Sequence, residues 1–563
     1  PVGMATVSTA SRFMFSTRKR TSRLQHLGAF ALAGVLLMLV FPRPGWGFLA
    51  YVALVPVGVA AARTRDWRRL FWTSAVVFGV WWCVMLRWLA GVSPAGPPVL
   101  GVWLGVNVAL GVLAMGVLHQ KLRWPMVVAL PLCWVSVEAL RSVWPAGGFA
   151  WFTLAQSQAK WDLGDVGRVV QTADLLGQHT VGLVVALVNG ALVDVAVRRK
   201  LPRTSVGLAA VVLVGAVAYG QWRIGQWDEA TTPGPTIAVV QTNVPQDNAV
   251  PMTQESVVAD FEGLMALHQQ AAGSEVRSAR KEYGGEMVWR DVDAIVWPET
   301  IIPFAITDEA RIRYETAAPF RAQMAGLARG LVARDGVATV VGASAKEWGA
   351  DEERRYNAAH LVNADGTLAG APYYKQHRVP MGEYVPGPGF IEGLMETMQV
   401  WPGYALTPGE GPVVFTLPGG WQVGTPICYE DAIAGVCREM VYGEEGKRLD
   451  ALVNLTNDGW YSSKGMRRQH AQLASLRCIE NRVPMARSVN TGISTFIDSA
   501  GRSQARLNEF EAGTLTHTMR VDERTTLYAA LGGWPWVLFV LFAIGATAFG
   551  AVFGRPLAKH RIA

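Results

Sequence analysis

Seven apolar runs, each about 17 to 23 residues long, fill the chain from residue 26 to residue 222, and an eighth lies at 527–553. A helix of that length crosses roughly 30 Å of hydrocarbon. The runs fall near 26–42, 46–63, 70–90, 97–119, 125–143, 178–197 and 204–222. Few folds accommodate such a series other than a bundle of about eight helices in lipid. Between the seventh and eighth runs stand about 300 residues of ordinary globular composition, with alternating and buried-strand patterns and no spanning run. The chain is 51% hydrophobic yet 17% charged, which fits a membrane bundle joined to a soluble domain.

Short cytoplasmic loops accumulate Lys and Arg, and every second connection here is basic. Arg18, Lys19, Arg20 and Arg23 precede the first run; Arg63, Arg65, Arg68 and Arg69 follow the second; Lys121 and Arg123 follow the fourth. Arg198, Arg199, Lys200 and Arg203 follow the sixth, and Arg555, Lys559 and Arg561 lie beyond the eighth. The expected organisation is a cytoplasmic tail (1–25), a seven-helix domain (26–222), an extracytoplasmic domain (223–526), a last helix (527–553) and a cytoplasmic tail (554–563). These loops account for the net charge of +7, so no nucleic-acid partner is expected. The first run reads as an uncleaved helix, because six more follow it.

Within the soluble part, β-rich runs end in polar residues at 236–246, 293–300, 338–344, 421–431 and 449–461. Helical stretches at 255–272, 308–333 and 465–482 alternate with them. This pattern predicts a layered α/β domain with its chemistry beyond the strand ends. Three motifs there carry reactive groups: WPET with Glu299, YYKQHRVPMGEYVP with Lys375, and PICYED with Cys428. A thiol with a pKa near 8.5 is a poor nucleophile at neutral pH unless a base or a cation stands beside it. A carboxylate and an ammonium are the two groups on offer. Five cysteines are too few for a disulfide framework, and spacing alone leaves open whether Cys437 and Cys478 bridge. No Cys or His spacing suggests a metal site.

The order Glu in WPE, Lys in YYKQHRVPMGEY, Cys in ICYE and then NLTNDGW resembles the nitrilase superfamily. With the apolar runs on either side, the chain from about 26 to 553 resembles its membrane-embedded branch, the apolipoprotein N-acyltransferases. The resemblance implies an α-β-β-α sandwich with Glu299 as base, Cys428 as nucleophile and Lys375 stabilising thiolate and oxyanion. The backbone N–H after Cys428 would assist Lys375. It also implies supporting roles for Glu383, Tyr429, Glu430, Asn454, Asn457, Asp458 and Glu480. Tyr429 is expected to pack on the lysine loop. Glu430 extends to the same side as Cys428 if the strand continues, and otherwise Glu430 and Asp431 suit caps of a helix beginning near Ala432.

The segment 380–404 is rich in Gly and Pro and carries Phe390, Ile391, Leu394 and Trp401, which suits either a lid dipping into lipid or a loop packed on the domain. Trp460 and Tyr461 suit acyl-chain contact and ordinary core equally. Arg87, Glu138 and Arg141 fall inside apolar runs; Glu138 and Arg141, three apart, read most simply as a self-satisfied pair.

By the same resemblance the acyl donor is a glycerophospholipid, often phosphatidylethanolamine, and the acceptor is the N-terminal amine of an S-diacylglyceryl-cysteine on a lipoprotein. The setting implied is the bacterial inner membrane with the catalytic domain on the periplasmic side. No cofactor is required, and a complete triad in one chain makes a monomer sufficient. A membrane-tethered amidohydrolase and a non-catalytic scaffold are the alternatives. The run DNAVPMTQ lacks an aromatic residue that resembling enzymes place there, and 280–293 reads as a surface insertion.

Overall fold

The computed structural model describes residues 23–554 apart from 43, 161–162, 165, 199–200, 247–252, 274–275, 280–286, 350–352, 388–392, 394–404 and 462. The apolar helices come first: α1 (Arg23–Val40), α2 (Val55–Arg63), α3 (Trp67–Met85), α4 (Gly96–Gln120), α5 (Met126–Arg141), α6 (Gln178–Val197) and α7 (Arg203–Gly225). All eight runs are helical, but not as eight uniform spans. Among the described residues, four helices are long and apolar enough to cross a membrane: α4, α6, α7 and α13 (Trp534–Phe553). The second run is broken into a 3-10 turn (Gly47–Leu49), a short helix (Ala50–Ala53) and α2, with Pro56 in the first turn of α2. In the first turn proline forfeits no helical hydrogen bond, so the chain restarts there instead of continuing through it. The eighth run divides at Gly532 and Gly533 between a short helix (Leu527–Leu531) and α13.

Aromatic side chains fill the bundle. Phe78 meets Phe30, Trp81 and Trp134 edge-on, and Phe152 does the same with Trp81, Trp82 and Phe41. Val211, Val214, Leu538 and Val552 on α7 and α13 stay exposed. An apolar surface of that kind is one that lipid covers.

The remainder folds into two six-stranded sheets. The first has the order β12-β1-β2-β3-β4-β5, from β1 (Thr231–Gln241), β2 (Ala294–Val296), β3 (Thr339–Trp348), β4 (Glu353–Val362), β5 (Tyr373–Tyr374) and β12 (Gly513–Asp522). The second has the order β11-β10-β9-β8-β7-β6, from β6 (Val414–Thr416), β7 (Gln422–Gly424), β8 (Ala451–Thr456), β9 (Met485–Val489), β10 (Thr495–Ile497) and β11 (Ser503–Arg506). Each has three parallel central strands, β1-β2-β3 and β7-β8-β9, flanked by antiparallel ones. Period-2 alternation decides the layering. Ile237 and Val239 face the second sheet, in one core with Val453, Leu455 and Phe496, whereas Ala238 and Val240 face helices α8 (Gln254–Ala272), α9 (Asp308–Ala317) and α10 (Pro319–Asp335). Helices α11 (Ala434–Val441) and α12 (Lys464–Asn481) cover the other side, giving an α-β-β-α sandwich.

Helix α12 is buried on both sides. Ala474 and Cys478 pack into the sandwich, while Met466, Leu473, Leu476 and Ile479 pack into the apolar bundle. Its polar residues therefore need internal partners. Arg482, just past its end, donates to Asp174 at 2.6 Å, and Arg223 of α7 donates to the same carboxylate at 2.7 Å. The catalytic layer is thus tied to the helices by hydrogen-bonded ion pairs.

Candidate active site

Glu299 lies just past the C-terminal end of β2, where parallel strands deliver their chemistry. The backbone turns sharply there: Thr300 has φ 48°, and a Cβ on the neighbouring Gly342 would meet the Pro298 carbonyl oxygen at 2.1 Å. Only glycine permits that approach. Glu299 is 6% exposed. Its Oε1 accepts from Asn357 Nδ2 at 2.7 Å and Lys375 Nζ at 3.4 Å, and its Oε2 accepts from the Asn457 N–H at 2.8 Å. Burial raises its pKa above the usual carboxylate range, against the pull of the Lys375 charge.

Lys375 follows β5, and its ammonium stands 2.7 Å from Glu383 Oε1. Burial alone would push it down, but Glu383 and Glu299 outweigh burial and hold it well above its ordinary value. Glu383 also accepts from the Val379 N–H at 2.7 Å, which pins the lysine loop.

Cys428 is reached when the chain leaves the second sheet at Ile427, bridged to Leu455. It opens a 3-10 turn (Cys428–Ala432) with φ 53°, a left-handed backbone that costs a non-glycine residue about 1–3 kcal/mol. The turn means that the strand does not continue to Glu430. The thiol lies close enough to Glu299 and Lys375 to feel the charge of both. Burial, then the Glu299 charge, raise its pKa well above the ordinary value, with Lys375 opposing. These surroundings favour the thiol over the thiolate, and Lys375 opposes that without reversing it. A thiol so placed can attack a carbonyl only if a neighbouring group accepts its proton, and Glu299 is the carboxylate at hand.

Glu430 is fully buried and ties the motifs together. It accepts from the N–H groups of Gln376 (2.7 Å), His377 (2.9 Å) and Ile427 (2.7 Å), and its oxygens lie 2.9 Å from the Tyr373 hydroxyl. It caps the turn that carries Cys428, not α11, whose first turn has no side-chain cap. Burial raises its pKa to about 7, with the Ile427 and His377 N–H groups opposing. In Glu430→Gln an amide NH2 would face those donors. That variant is expected to lose about 1–3 kcal/mol of stability, read as a lower denaturation midpoint in detergent.

Tyr429 points away from the sulfur. Its hydroxyl donates to the Gly148 carbonyl at 3.0 Å and its ring stacks on Trp151 at 5.9 Å, with His377 of the lysine loop tilted at 6.2 Å. It packs chiefly on the bundle and touches the lysine loop only through His377. Asn454 donates to the carbonyls of Pro426 (3.0 Å) and Cys428 (3.4 Å). Asn457 holds the base through its own N–H, and Asp458 pairs with His470 at 2.9 Å.

Glu480 is not with the triad: it binds Arg477 at 3.0 Å and accepts from the Gln178 N–H at 2.7 Å, at the junction with α6. Glu138 and Arg141 attract each other as charges but take their hydrogen-bond partners elsewhere. Glu138 accepts from Trp134 and the Leu154 N–H, while Arg141 donates to the carbonyls of Phe149, Trp151 and Phe152, so both brace the segment on which Tyr429 rests. Trp460 is partly exposed, and Tyr461 packs edge-on against Trp88 at 5.0 Å. Cys437 and Cys478 are free thiols. Phe390, Ile391, Leu394 and Trp401 lie outside the described residues. Asn357, which orients the base, was not signalled by any motif; only a polar residue inside the apolar strand 356–362 marks it.

The carbon-nitrogen hydrolase family matches residues 236–528, the two-sheet part that carries all three groups. The apolipoprotein N-acyltransferase N-terminal domain matches residues 33–191, the apolar helices. An apolipoprotein N-acyltransferase of Geobacter metallireducens is 30% identical over 531 residues, covering 89% of this chain and 90% of that one. The chain belongs to the apolipoprotein N-acyltransferase family. The Methylococcus capsulatus member is 30% identical over 82% of this chain and 78% of its own. Among solved structures, a Nesterenkonia AN1 amidase of the nitrilase superfamily is similar over 52% of this chain at 18% identity, with a TM-score of 0.32.

The family match makes this chain an acyltransferase anchored in a membrane. What the site offers is a buried thiol, a buried carboxylate whose charge acts on it, and a fixed ammonium shared by two carboxylates. That set suits covalent acyl transfer, with proton movement between sulfur and carboxylate and a positive charge held near the reacting carbonyl.

Proposed function

We propose that the protein moves a fatty acyl chain from a glycerophospholipid, through a thioester on Cys428, to the N-terminal amine of an S-diacylglyceryl-cysteine. The observation carrying this reading is a buried Cys428 thiol within the fields of the Glu299–Lys375 pair, whose charges stand 3.4 Å apart, in a layer locked onto apolar helices. In the first half-reaction Glu299 takes the thiol proton as sulfur attacks the ester carbonyl. The C–O bond then breaks, and the proton passes to the leaving alcohol, a lysophospholipid. In the second, the amine attacks the thioester, Glu299 takes its proton, the C–S bond breaks and the thiol is restored. Lys375 stabilises the oxyanion in both, as the backbone N–H following Cys428 would. Ester to thioester is uphill, but thioester to amide is more strongly downhill, so the overall ester-to-amide transfer needs no cofactor.

Supporting roles follow from the contacts. Asn357 and Asn457 orient the base; Glu383 holds Lys375; Glu430 and Asn454 hold the nucleophile turn. In this reading residues 26–222 and 527–553 form eight membrane segments, some completed by packing. Residues 223–526 lie on the periplasmic face of a bacterial inner membrane, and both tails are cytoplasmic. The donor is phosphatidylethanolamine, the acceptor a diacylglyceryl-modified lipoprotein, and one copy of the chain suffices.

The carbon-nitrogen hydrolase match keeps one second reading in view, in which water takes the acyl group. The deciding experiment supplies acyl-labelled phosphatidylethanolamine and a diacylglyceryl-cysteine peptide to the purified protein in mixed micelles. Label is expected as an amide at the peptide N-terminus. Label released only as free fatty acid would replace the transferase with the hydrolase.

A further inference from the structure

Behind the triad lies a buried ionic cluster that the chemistry above leaves unused. His470 on α12 places Nδ1 2.9 Å from Asp458 Oδ1 and Nε2 2.8 Å from Asp431 Oδ1. All three side chains are at least nine-tenths buried. The two carboxylates belong to different parts of the site. Asp431 sits in the 3-10 turn that Cys428 opens, and Asp458 follows Asn457, whose N–H holds Glu299. We propose that His470, as an imidazolium, is a positioning residue: by binding both aspartates it joins the nucleophile turn to the base anchor and fixes the approach of Cys428 to Glu299.

The charge state follows from the geometry. A neutral imidazole has one N–H, so one ring nitrogen would face a carboxylate lone pair to lone pair. The surroundings agree. Arg487 of β9 donates through Nε to Asp431 Oδ2 at 3.1 Å and to Asn454 Oδ1 at 3.2 Å. Arg467, on the same helix as His470, donates to the main-chain carbonyls of Tyr461 and Asp458, not to the Asp458 carboxylate. Trp151 from the bundle covers the ring at 5.5 Å. Among the described residues, His470 is thus the ion-pair partner of the Asp458 carboxylate. Loss of its proton would strip that buried charge of its direct partner, leaving only the more distant Arg487 and Arg467 charges to offset it. Burial lowers the imidazole pKa, but Asp431 and Asp458 outweigh burial and raise it to about 9.

A folded-state pKa raised above the ordinary value means that the link is intact below about pH 6.5 and is lost as pH rises through about 9. This inference rests on Cys428 and Glu299 being nucleophile and base, so its test includes a readout that needs no acyl donor. Alkylation of Cys428 by iodoacetamide and single-turnover acylation by phosphatidylethanolamine would be followed by mass between pH 6 and 10. The unaltered protein, His470→Gln and Asp431→Asn would be compared, with melting curves at each pH.

His470→Gln is expected to slow both reactions by roughly 10- to 100-fold near pH 7 while still melting above the assay temperature, and to lose the alkaline fall in acylation. Asp431→Asn removes one of the two charges that hold the proton, so the alkaline fall should move to lower pH. Wild-type rates in His470→Gln would overturn the proposal. So would an alkaline limb that stays in place in Asp431→Asn, even if His470→Gln fails to fold. If alkylation follows the expected pattern while wild type never acylates, the positioning role stands and the acyl-transfer reading falls.

Discussion

Cys428→Ala is expected to reduce acyl transfer by roughly 10⁴-fold or more, because the attacking group itself is removed while the packing around it is nearly unchanged. Cys428 is 9% exposed in the core between the sheets, and alanine fits the space the thiol leaves. Cys428→Ser should fall almost as far. Its hydroxyl is a much weaker acid than a thiol, and the base is a carboxylate that cannot pull that proton off efficiently. The check is transfer from labelled phospholipid in mixed micelles, with the melting point measured alongside. Substantial turnover in a folded Cys428→Ala protein would remove the thiol from the mechanism.

Glu299→Gln carries the second large effect. The amide keeps the shape and can still meet Asn457, but it cannot accept a proton from sulfur. Loss of a general base costs about 10²–10⁴ in rate. Burial, the largest cause of the raised thiol pKa, persists in the variant, so removing the carboxylate does not by itself supply a ready thiolate. The pH dependence carries a sign. In the proposed mechanism Glu299 acts as the carboxylate, and burial holds its pKa above the usual range. Acylation should therefore decline as pH falls through a value higher than that of an ordinary carboxylate, and Glu299→Gln should lose that limb. A variant retaining the limb would assign it to another group.

Much of this site was legible before any fold was known. Glu299, Lys375 and Cys428 sit in compact motifs at strand ends, and the structure brings all three together. What escaped depends on long-range packing. Asn357 is one polar residue in a strand with no motif around it, yet strand pairing places it against Glu299. Glu480 sits in a motif but faces the bundle, because α12 is pressed between two layers and its last turn serves the junction. His470 and Arg477 look like solvated positions on a polar helix and are buried for the same reason. In the membrane part hydrophobic run length was readable, but the break before α2 depends on Pro56, and the division at Gly532 depends on φ 57° there.

The measurement closest to the central claim is the intact mass of the protein after exposure to phosphatidylethanolamine, alone and then with a diacylglyceryl-cysteine peptide. The account predicts one hydroxylamine-labile fatty-acyl adduct, located to Cys428 by fragmentation, that persists in water and is discharged when the peptide amine arrives. An adduct on another residue, no adduct at all, or one lost equally fast with and without the peptide would contradict it.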